Sequence, residues 1–517
     1  MADNSSNKTI AKNTLLLYFR MIVTMLITLY TSRVVLQILG VDDYGIYHAV
    51  GGIVGLLSFV NNALATGSSR FLAYGLGEGD ATKLRNIFST TLTCHVVLAV
   101  IIVIIAETAG LWFLYNKMVI PADRMDAAVY TFHLSVLTAF FTLTQVPYNA
   151  TIIAHERMNI YAYVSIIDAV CKLLIVYALA IGNIDKLKLY ATLLCLLQVS
   201  IILFYRYYCG RHFDEARFRL YFEKNIFKEI AGFSGWSLFA ATSLALNNQG
   251  ILLLLNMFFS PAVVAARAIA MQVNMAANQL VQNFQTAAVP QIVKRYANKE
   301  YDESRTLLLQ TARYSFYLML VISLPLCLVT EPVLKLWLGV VPPYTVIFLQ
   351  IILVQSLFQV FDTSFYYALY AKGQLRENAL ISPTIVFISF PIIYVLFRCG
   401  FSPVVASWAS MIAFALLGFI VKPMLIIRIV GYKWNDIISV FTPCLKVTIT
   451  SLPLPLLAYY FLHESNSIWL SLFLVVIISV LSVICSVWYL GIEGPMRLKM
   501  LNICKTKYKT FSGRIDM

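Results

Sequence analysis

The stretch from Asn13 to Gly40 reads NTLLLYFRMIVTMLITLYTSRVVLQILG and decides the fold class. It is long and apolar enough to cross a membrane as one helix, since about 20 apolar residues suffice. Arg20 and Arg33 nevertheless lie inside it, and an arginine at the bilayer centre costs about 2.5–3.5 kcal/mol on insertion scales. These two charges therefore require an explanation.

The composition of the whole chain agrees with this first helix. Of 517 residues, 60% are hydrophobic and only 12% are charged, whereas soluble domains carry about 25% charged residues. We therefore predict an all-α integral membrane protein. The nine cysteines form no C-x-x-C pair and the six histidines no H-x-x-x-H pair, so neither a metal site nor a bound cofactor is expected. The net charge of +14 indicates membrane topology rather than a nucleic-acid partner.

Hydrophobic runs between Gly, Pro and charged clusters predict about fourteen transmembrane helices. They lie near 13–39, 44–72, 84–106, 126–151, 160–181, 188–208, 230–258, 262–293, 306–329, 344–370, 378–397, 402–421, 437–461 and 468–490.

The distribution of Lys and Arg supports this number of spans. With both termini in the cytoplasm, the cytoplasmic segments hold 26 of these residues, Lys422 among them, and the outer loops hold 6. Cytoplasmic loops of membrane proteins carry such an excess. We expect a multi-pass protein of the cytoplasmic (inner) membrane with both termini inside.

A weak internal repeat divides the predicted spans into two sets of six. AYGLGEGDATKL follows span 2 and RYANKEYDESRT follows span 8, with Tyr, Glu and Asp in register. We predict two six-helix lobes related by pseudo-two-fold symmetry plus two C-terminal helices, with a substrate site between the lobes. The predicted boundaries are 1–209 for the N-lobe, 210–229 for a cytoplasmic linker, 230–432 for the C-lobe, 433–492 for spans 13 and 14, and 493–517 for a basic tail.

Polar residues share single faces of spans 1, 2, 7 and 8. On span 8, four polar side chains lie within about 20° of one line at 100° per residue. They are Arg267, Asn274, Asn278 and Gln285. Span 2 carries a similar face with Asn62, and Arg70 lies near its edge. Such faces at equivalent places in both halves favour a wet central cavity, although hydrogen bonding between helices, worth about 0.6 kcal/mol each, is the alternative for any single Asn or Gln.

The intramembrane charges have two interpretations each. Arg20 shares a face with three threonines of span 1, which favours the cavity. Arg33 points about 140° away at 100° per residue, and like Arg70 it is near enough to a span end to snorkel. Asp168 and Lys172 are four residues apart, so they form either a self-neutralising pair or a coupling site for sodium or a proton. Asp362 is a second candidate for ion coupling.

The first 90 residues resemble bacterial polysaccharide-biosynthesis membrane proteins, the O-antigen-type oligosaccharide-lipid flippases. These belong to the multidrug/oligosaccharidyl-lipid/polysaccharide exporter (MATE-like) superfamily. The resemblance lies in the arginine-bearing first span, in LG-x-x-x-YG-x-Y from Leu39 to Tyr47, and in SSRFLAYGLGEGD at the end of span 2. The number of spans and the 6+6+2 arrangement extend it to the whole chain.

The resemblance implies a polyprenyl-pyrophosphate-linked oligosaccharide as substrate, moved from the inner to the outer leaflet for surface polysaccharide synthesis. It also implies the lipid bilayer and polysaccharide polymerase machinery as partners. Guanidinium groups bind phosphate oxygens bidentately, so Arg20, Arg33, Arg70 and Arg267 are the expected ligands of the anionic head group. Asn and Gln would bind the sugar hydroxyls.

Three other functions stay open. A cation-coupled multidrug exporter of the same superfamily would need acids in the cavity, where the surplus here is basic. A peptidoglycan lipid precursor flippase would share both the fold and the preference for an anion. A glycan polymerase or ligase would need a catalytic outer loop, and the longest predicted outer loop, 107–125, carries no such cluster.

Overall fold

The computed structural model describes most of the chain, and every regular element in the described part is helical. The described residues are 2–57, 68, 71–72, 75–76, 79–155, 157–179, 181, 184–217, 221–224, 227–228, 239, 241–462, 468–494 and 497. The predicted all-α class is confirmed.

The described residues contain the following helices in chain order. They are α1 Ala2–Leu39, α2 Val41–Leu57, α3 Ala81–Ile105, α4 Leu111–Lys117, α5 Met125–Ala154, α6 Met158–Ala178, α7 Lys186–His212, α8 Ile251–Phe258, α9 Pro261–Ala297, α10 Tyr301–Leu328, α11 Thr330–Leu338, α12 Thr345–Lys372, α13 Arg376–Arg398, α14 Val405–Leu416, α15 Lys422–Val430, α16 Trp434–Ser451, α17 Pro453–Leu462 and α18 Ile468–Ser486. Single π-helical turns at Ala106–Gly110, Leu246–Gly250, Leu417–Val421 and Val487–Gly491 interrupt or end several of them.

Within the described residues, eleven helical segments are long and apolar enough to span a membrane. They coincide with predicted spans 1, 3 to 6 and 9 to 14. Span 2 begins as α2, and most of its remaining residues lie outside the described part of the chain. Most of the first half of span 7 also lies outside it. Span 8 is the 37-residue helix α9, which is more polar than the others. The chain is therefore a multi-pass membrane protein, with a helix count close to the predicted fourteen.

The chain divides into two compact units. The first consists of Met1–Val273, Trp337–Phe348 and Ala379–Ser410. The second consists of Asn274–Leu336, Leu349–Asn378 and Met411–Met517. These units do not follow the predicted six-plus-six boundaries, and the lobe division stays a prediction.

In the first unit, a backbone contact explains the YG of the LG-x-x-x-YG-x-Y motif. Gly40 ends α1 with a positive φ of 84°, a conformation that glycine adopts without strain. Gly45 lies against α9, where a Cβ atom would come within 2.0 Å of the Pro261 carbonyl oxygen. Only glycine fits there, so the start of α2 packs directly against the start of α9.

An arginine also ties three connections of the first unit together. The Arg124 guanidinium donates to Asp43 and Asp185, each at 2.6 Å. Asp185 caps α7 as well, since its carboxylate accepts from the Lys188 backbone N–H at 3.1 Å. Charge-assisted bonds to one arginine thus fix the predicted outer ends of spans 2, 4 and 6.

In the second unit, α10 packs against α16 and α18. Gly491 lies so close to the Tyr317 ring that a Cβ atom would come within 2.9 Å of it. Arg313, which the sequence places inside span 9, is buried and pairs with Glu493 at 3.0 Å. These contacts hold the segment that follows α18 against α10.

Candidate substrate and coupling sites

Arg20 lies half-buried between two helices of the first unit. Its guanidinium stacks over the Tyr161 ring of α6, 4.8 Å from the centroid. Its Nη1 atom donates to the Ser165 hydroxyl at 3.4 Å, and its Nε atom is buried with no partner among the described residues. In that same part of the chain no carboxylate lies within 4.0 Å of it. Among the described residues, Arg20 thus has no acid partner, and its Nε–H donor has no acceptor.

Four polar side chains form one stripe along α6, which we call the α6 stripe: Tyr161, Ser165, Asp168 and Lys172. Their spacing of three or four residues places them on one face of the helix. Lys172 Nζ lies 2.7 Å from Asp168 Oδ2, while Asp168 Oδ1 is buried without a partner among the described residues. The structure therefore brings the substrate candidate Arg20 onto the same stripe as the coupling candidates Asp168 and Lys172.

The other arginines of the predicted site are distributed differently. Arg33 is half-buried on α1, about 20 Å further along this continuous helix at 1.5 Å per residue. Arg20 and Arg33 therefore do not form a single binding site on α1. Arg70 and Asn62 lie outside the described residues.

Arg267 is enclosed in the first unit and only 3% exposed. Its Nη1 atom donates to the Ser407 hydroxyl at 2.5 Å, and its guanidinium lies 5.9 Å from the Phe348 ring centroid. Its Nε atom is buried without a partner among the described residues. Like Arg20, Arg267 is therefore contacted by neutral groups, and its charge is not cancelled by an acid.

The polar face of α9 in the second unit packs against α12. Asn278 Nδ2 donates to the Asn274 carboxamide oxygen at 2.9 Å and to the Ser356 hydroxyl at 3.0 Å. Gln285, which is 1% exposed, donates to the Ser364 hydroxyl at 2.8 Å. In this conformation these side chains join two helices, which is the alternative that the sequence left open. Their role in substrate binding stays a prediction.

Asp362 lies in a buried cluster of the second unit. Lys422 Nζ lies 3.2 Å from Asp362 Oδ1 and donates to the Asn378 carboxamide oxygen at 2.5 Å. The ammonium also lies 5.4 Å from the Tyr366 ring centroid. Lys422 is only 3% exposed and lies within the apolar helical segment Val405–Val430, and its assignment to a cytoplasmic segment in the charge distribution stays a prediction. We call these four side chains the Lys422 cluster.

A local helix distortion places Lys422 in this cluster. The π-helical turn Leu417–Val421 ends immediately before it, and such turns are frequent at functional sites. Within the turn, Gly418 lies so close to α12 that a Cβ atom would come within 2.5 Å of the Phe358 carbonyl oxygen. This close approach brings the α12 and α15 side chains together. In the sequence, the sign that Lys422 is buried is the apolar run on each side of it.

Neither α6 nor α15 offers a metal site, since no three His, Cys, Asp or Glu side chains come together anywhere in the described ranges.

Comparison with known proteins places this geometry in a known fold. No protein-family model and no curated protein matches the chain. Among solved structures, the lipid II flippase MurJ in an inward closed conformation matches with a TM-score of 0.68 and 11% identity, over 92% of this chain and 98% of that one. An inward-facing multidrug-resistance MATE transporter of the MOP superfamily matches with a TM-score of 0.65 and 17% identity, over 79% and 98%.

The chain shares its fold with these two solved structures. A third match is a MOP transporter from Pyrococcus furiosus described by a reverse polarity of its binding pocket, with a TM-score of 0.57, 17% identity and coverage of 80% and 95%. The MOP structures compared are transporters and flippases rather than enzymes. At these identities the likeness shows the fold, and the substrate has to be argued from the side chains.

Proposed function

We propose that this protein is a flippase for a polyprenyl-pyrophosphate-linked oligosaccharide. It moves this lipid from the inner to the outer leaflet of the cytoplasmic membrane by alternating access, for the synthesis of a surface polysaccharide of the O-antigen or lipopolysaccharide type. The MOP fold supports transport, and the arrangement of membrane charges supports an anionic substrate.

The observation that carries the proposal is a difference in how acids and arginines are partnered. Asp168 and Asp362, the acids that the sequence places inside spans, are each paired with a lysine. Arg20 and Arg267 are contacted by hydroxyl groups and aromatic rings instead. The charge left for a ligand is therefore positive, and guanidinium groups are suited to bidentate bonds with phosphate oxygens.

The same observation weighs against the multidrug exporter. A cationic drug would need an acid without a counter-ion in its path, whereas both Asp168 and Asp362 already have a lysine. A sodium ion or a proton at one of these pairs remains our proposal for energy coupling. The glycan polymerase or ligase is disfavoured because the MOP structures that share this fold are transporters.

A peptidoglycan lipid precursor flippase is the second candidate. The structure titled lipid II flippase covers 92% of this chain, against 79% for the MATE transporter. Both lipid-linked substrates carry a pyrophosphate, so Arg20 would serve either. The two are separated by asking whether the wild-type protein restores growth to cells depleted of their peptidoglycan flippase. Restored growth would favour this second candidate.

Substitution of Arg20 tests the proposal. We expect Arg20→Ala to abolish surface polysaccharide while the protein stays in the membrane, because losing a guanidinium eases insertion by about 2.5–3.5 kcal/mol. Arg20→Lys should be partly active, since the charge stays but the bidentate fork is lost. Arg20→Glu should be at least as defective as Arg20→Ala, because it repels the anion. Surface glycan is measured relative to protein in the membrane fraction.

Arg398→Ala is the matched control, because it removes an exposed arginine at the end of α13 whose guanidinium contacts Tyr394 alone among the described residues. It should leave surface glycan unchanged. Normal glycan in Arg20→Ala would contradict the phosphate-binding role and return Arg20 to packing against Tyr161.

A further inference from the structure

The second unit contains a long apolar cavity. Its volume is about 850 Å³, within the range of about 300–1,000 Å³ typical of ligand pockets. It lies between α10, α12 and α16 and is lined almost wholly by carbon. Its principal walls are Phe316, Leu320, Phe358, Phe361, Phe441 and Leu445. We call it the α16 groove.

The groove runs along the membrane-spanning part of α16. Its lining residues extend from Ile438 on that helix to Leu452 at the helix C-cap, which is about 21 Å at 1.5 Å per residue. The hydrocarbon core of a bilayer is about 30 Å thick. The groove therefore follows the helix for most of the bilayer core, a length suited to a hydrocarbon chain lying along it.

The outer wall of the groove lies at the surface of the unit. Leu445 and Ile449, which line the cavity, are 62% and 59% exposed. Both lie in the apolar helical segment Trp434–Leu462, which is long enough to span a membrane, and exposed apolar side chains of such a span are expected to face lipid. Lipid chains can thus enter the groove sideways from the bilayer, without passing through an aqueous opening.

Lys446 distinguishes this groove from an ordinary lipid-facing surface. It lines the cavity, it is exposed, and it lies about 18 Å from Trp434 along the helix, near the middle of the span. Within the described part of the chain, no carboxylate lies within 4.0 Å of its ammonium. A lysine at this depth normally faces a partner or a functional site. Here the partner must come from outside the described residues.

We propose that the α16 groove binds a long-chain lipid with an anionic phosphate, drawn from the surrounding bilayer, and that Lys446 binds the phosphate. The hydrocarbon chain fills the aromatic part of the cavity. The four-carbon stem of Lys446 lets the ammonium lean along the helix toward the head group. This site is separate from Arg20, so it stands whether or not the chain flips an oligosaccharide lipid.

The test uses the purified full-length protein in detergent, titrated with phosphatidylglycerol or with phosphatidylcholine of the same acyl chains. Thermal unfolding reports binding, because a ligand that binds the folded state raises the unfolding temperature. We expect the wild type to prefer phosphatidylglycerol. In Lys446→Met the apparent Kd for phosphatidylglycerol should rise by about tenfold or more, the change expected when a charge-assisted bond is lost.

Two further variants keep the result interpretable. Lys117→Met removes an exposed lysine of the first unit at the end of α4, and it should retain the full preference. Thr442→Phe fills the groove while keeping Lys446, and it should weaken binding of both lipids. Retained preference in Lys446→Met would overturn the proposal. So would equal stabilisation by inorganic phosphate, which would show that the groove contributes nothing.

Discussion

Asp168–Lys172 and Asp362–Lys422 are acid–lysine pairs of the membrane-spanning helices, and they differ in sequence separation, in exposure and in polar partners. Asp168 and Lys172 stand one turn apart on α6, and their side chains are 27% and 46% exposed. Asp362 and Lys422 come from different helices, and their side chains are 19% and 3% exposed. Among the described residues, a further polar partner is found for the second pair alone, and it is the Asn378 carboxamide. The first pair is local and accessible, and the second is enclosed by tertiary packing.

This difference separates what each pair can do. A pair buried between helices is costly to break because removal of one partner leaves an uncompensated charge in a low-dielectric interior. A pair on one helix with an exposed ammonium can open, since the lysine can reach another partner. We therefore expect the Lys422 cluster to hold helices together and the Asp168–Lys172 pair to exchange an ion or a proton.

The largest expected effect is at Lys422. Lys422→Met leaves Asp362 and Asn378 without their shared donor, and breaking such a buried pair costs about 3–5 kcal/mol. The midpoint of thermal unfolding of the purified protein should fall accordingly. The double variant Asp362→Asn with Lys422→Met removes both charges and should recover most of the loss.

Lys335→Met serves as the control for the same substitution. Lys335 pairs with Glu331 four residues away on α11, with side chains 63% and 57% exposed, and exposed pairs of this kind contribute about 0.3–0.5 kcal/mol. It should leave the unfolding midpoint nearly unchanged. If Lys422→Met and Lys335→Met have the same unfolding midpoint, the Asp362–Lys422 pair does not hold helices together. The structural distinction between the two membrane pairs would then be wrong.

An intermediate effect is expected at Asn378. It is 8% exposed and accepts a bond from the Lys422 ammonium. Asn378→Ala removes that acceptor but leaves the ion pair with Asp362, so the cost should be about 1–3 kcal/mol, the penalty for an unsatisfied buried group. The unfolding midpoint should lie between those of the wild type and Lys422→Met. A midpoint equal to that of Lys422→Met would show that Asn378, and not Asp362, is the essential partner.

The two pairs also show how far the sequence could predict this protein. Helical spans follow from runs of apolar residues, and the Asp168–Lys172 pair follows from a spacing of four, because both depend only on neighbours along the chain. The pairing of Asp362 with Lys422 depends on the π-helical turn before Lys422 and on the fit of Gly418 against Phe358. The sequence contains both features, but their consequence appears only when α12 and α15 pack.

The Arg20 site illustrates the same limit. The sequence identified an arginine deep in the first span and an acid on the fifth, but it could not place them on one stripe. That placement depends on α1 packing against α6, which brings Arg20 onto Tyr161 and Ser165. The same packing supports the prediction that Asp168 takes up a coupling ion, because Asp168 lies one turn beyond Ser165 on the same face of α6.

Asp168→Asn should give the smallest change in stability, together with a large loss of transport. Asp168→Asn leaves Lys172 unpaired, but this lysine is exposed and lies about 9 Å from the Ala178 end of α6, within reach of snorkelling toward the interface. The cost in unfolding free energy should therefore stay below about 1 kcal/mol.

If Asp168 takes up a coupling sodium ion or proton, surface polysaccharide should nevertheless be lost, and Asp168→Asn with Lys172→Met should not restore it. Asp362→Asn with Lys422→Met provides the comparison, since it removes the same two charges from the buried cluster. Polysaccharide is measured relative to membrane-inserted protein in both double variants. Full transport in the Asp168 and Lys172 double variant would reduce this pair, too, to a structural role, and would place ion coupling elsewhere in the chain.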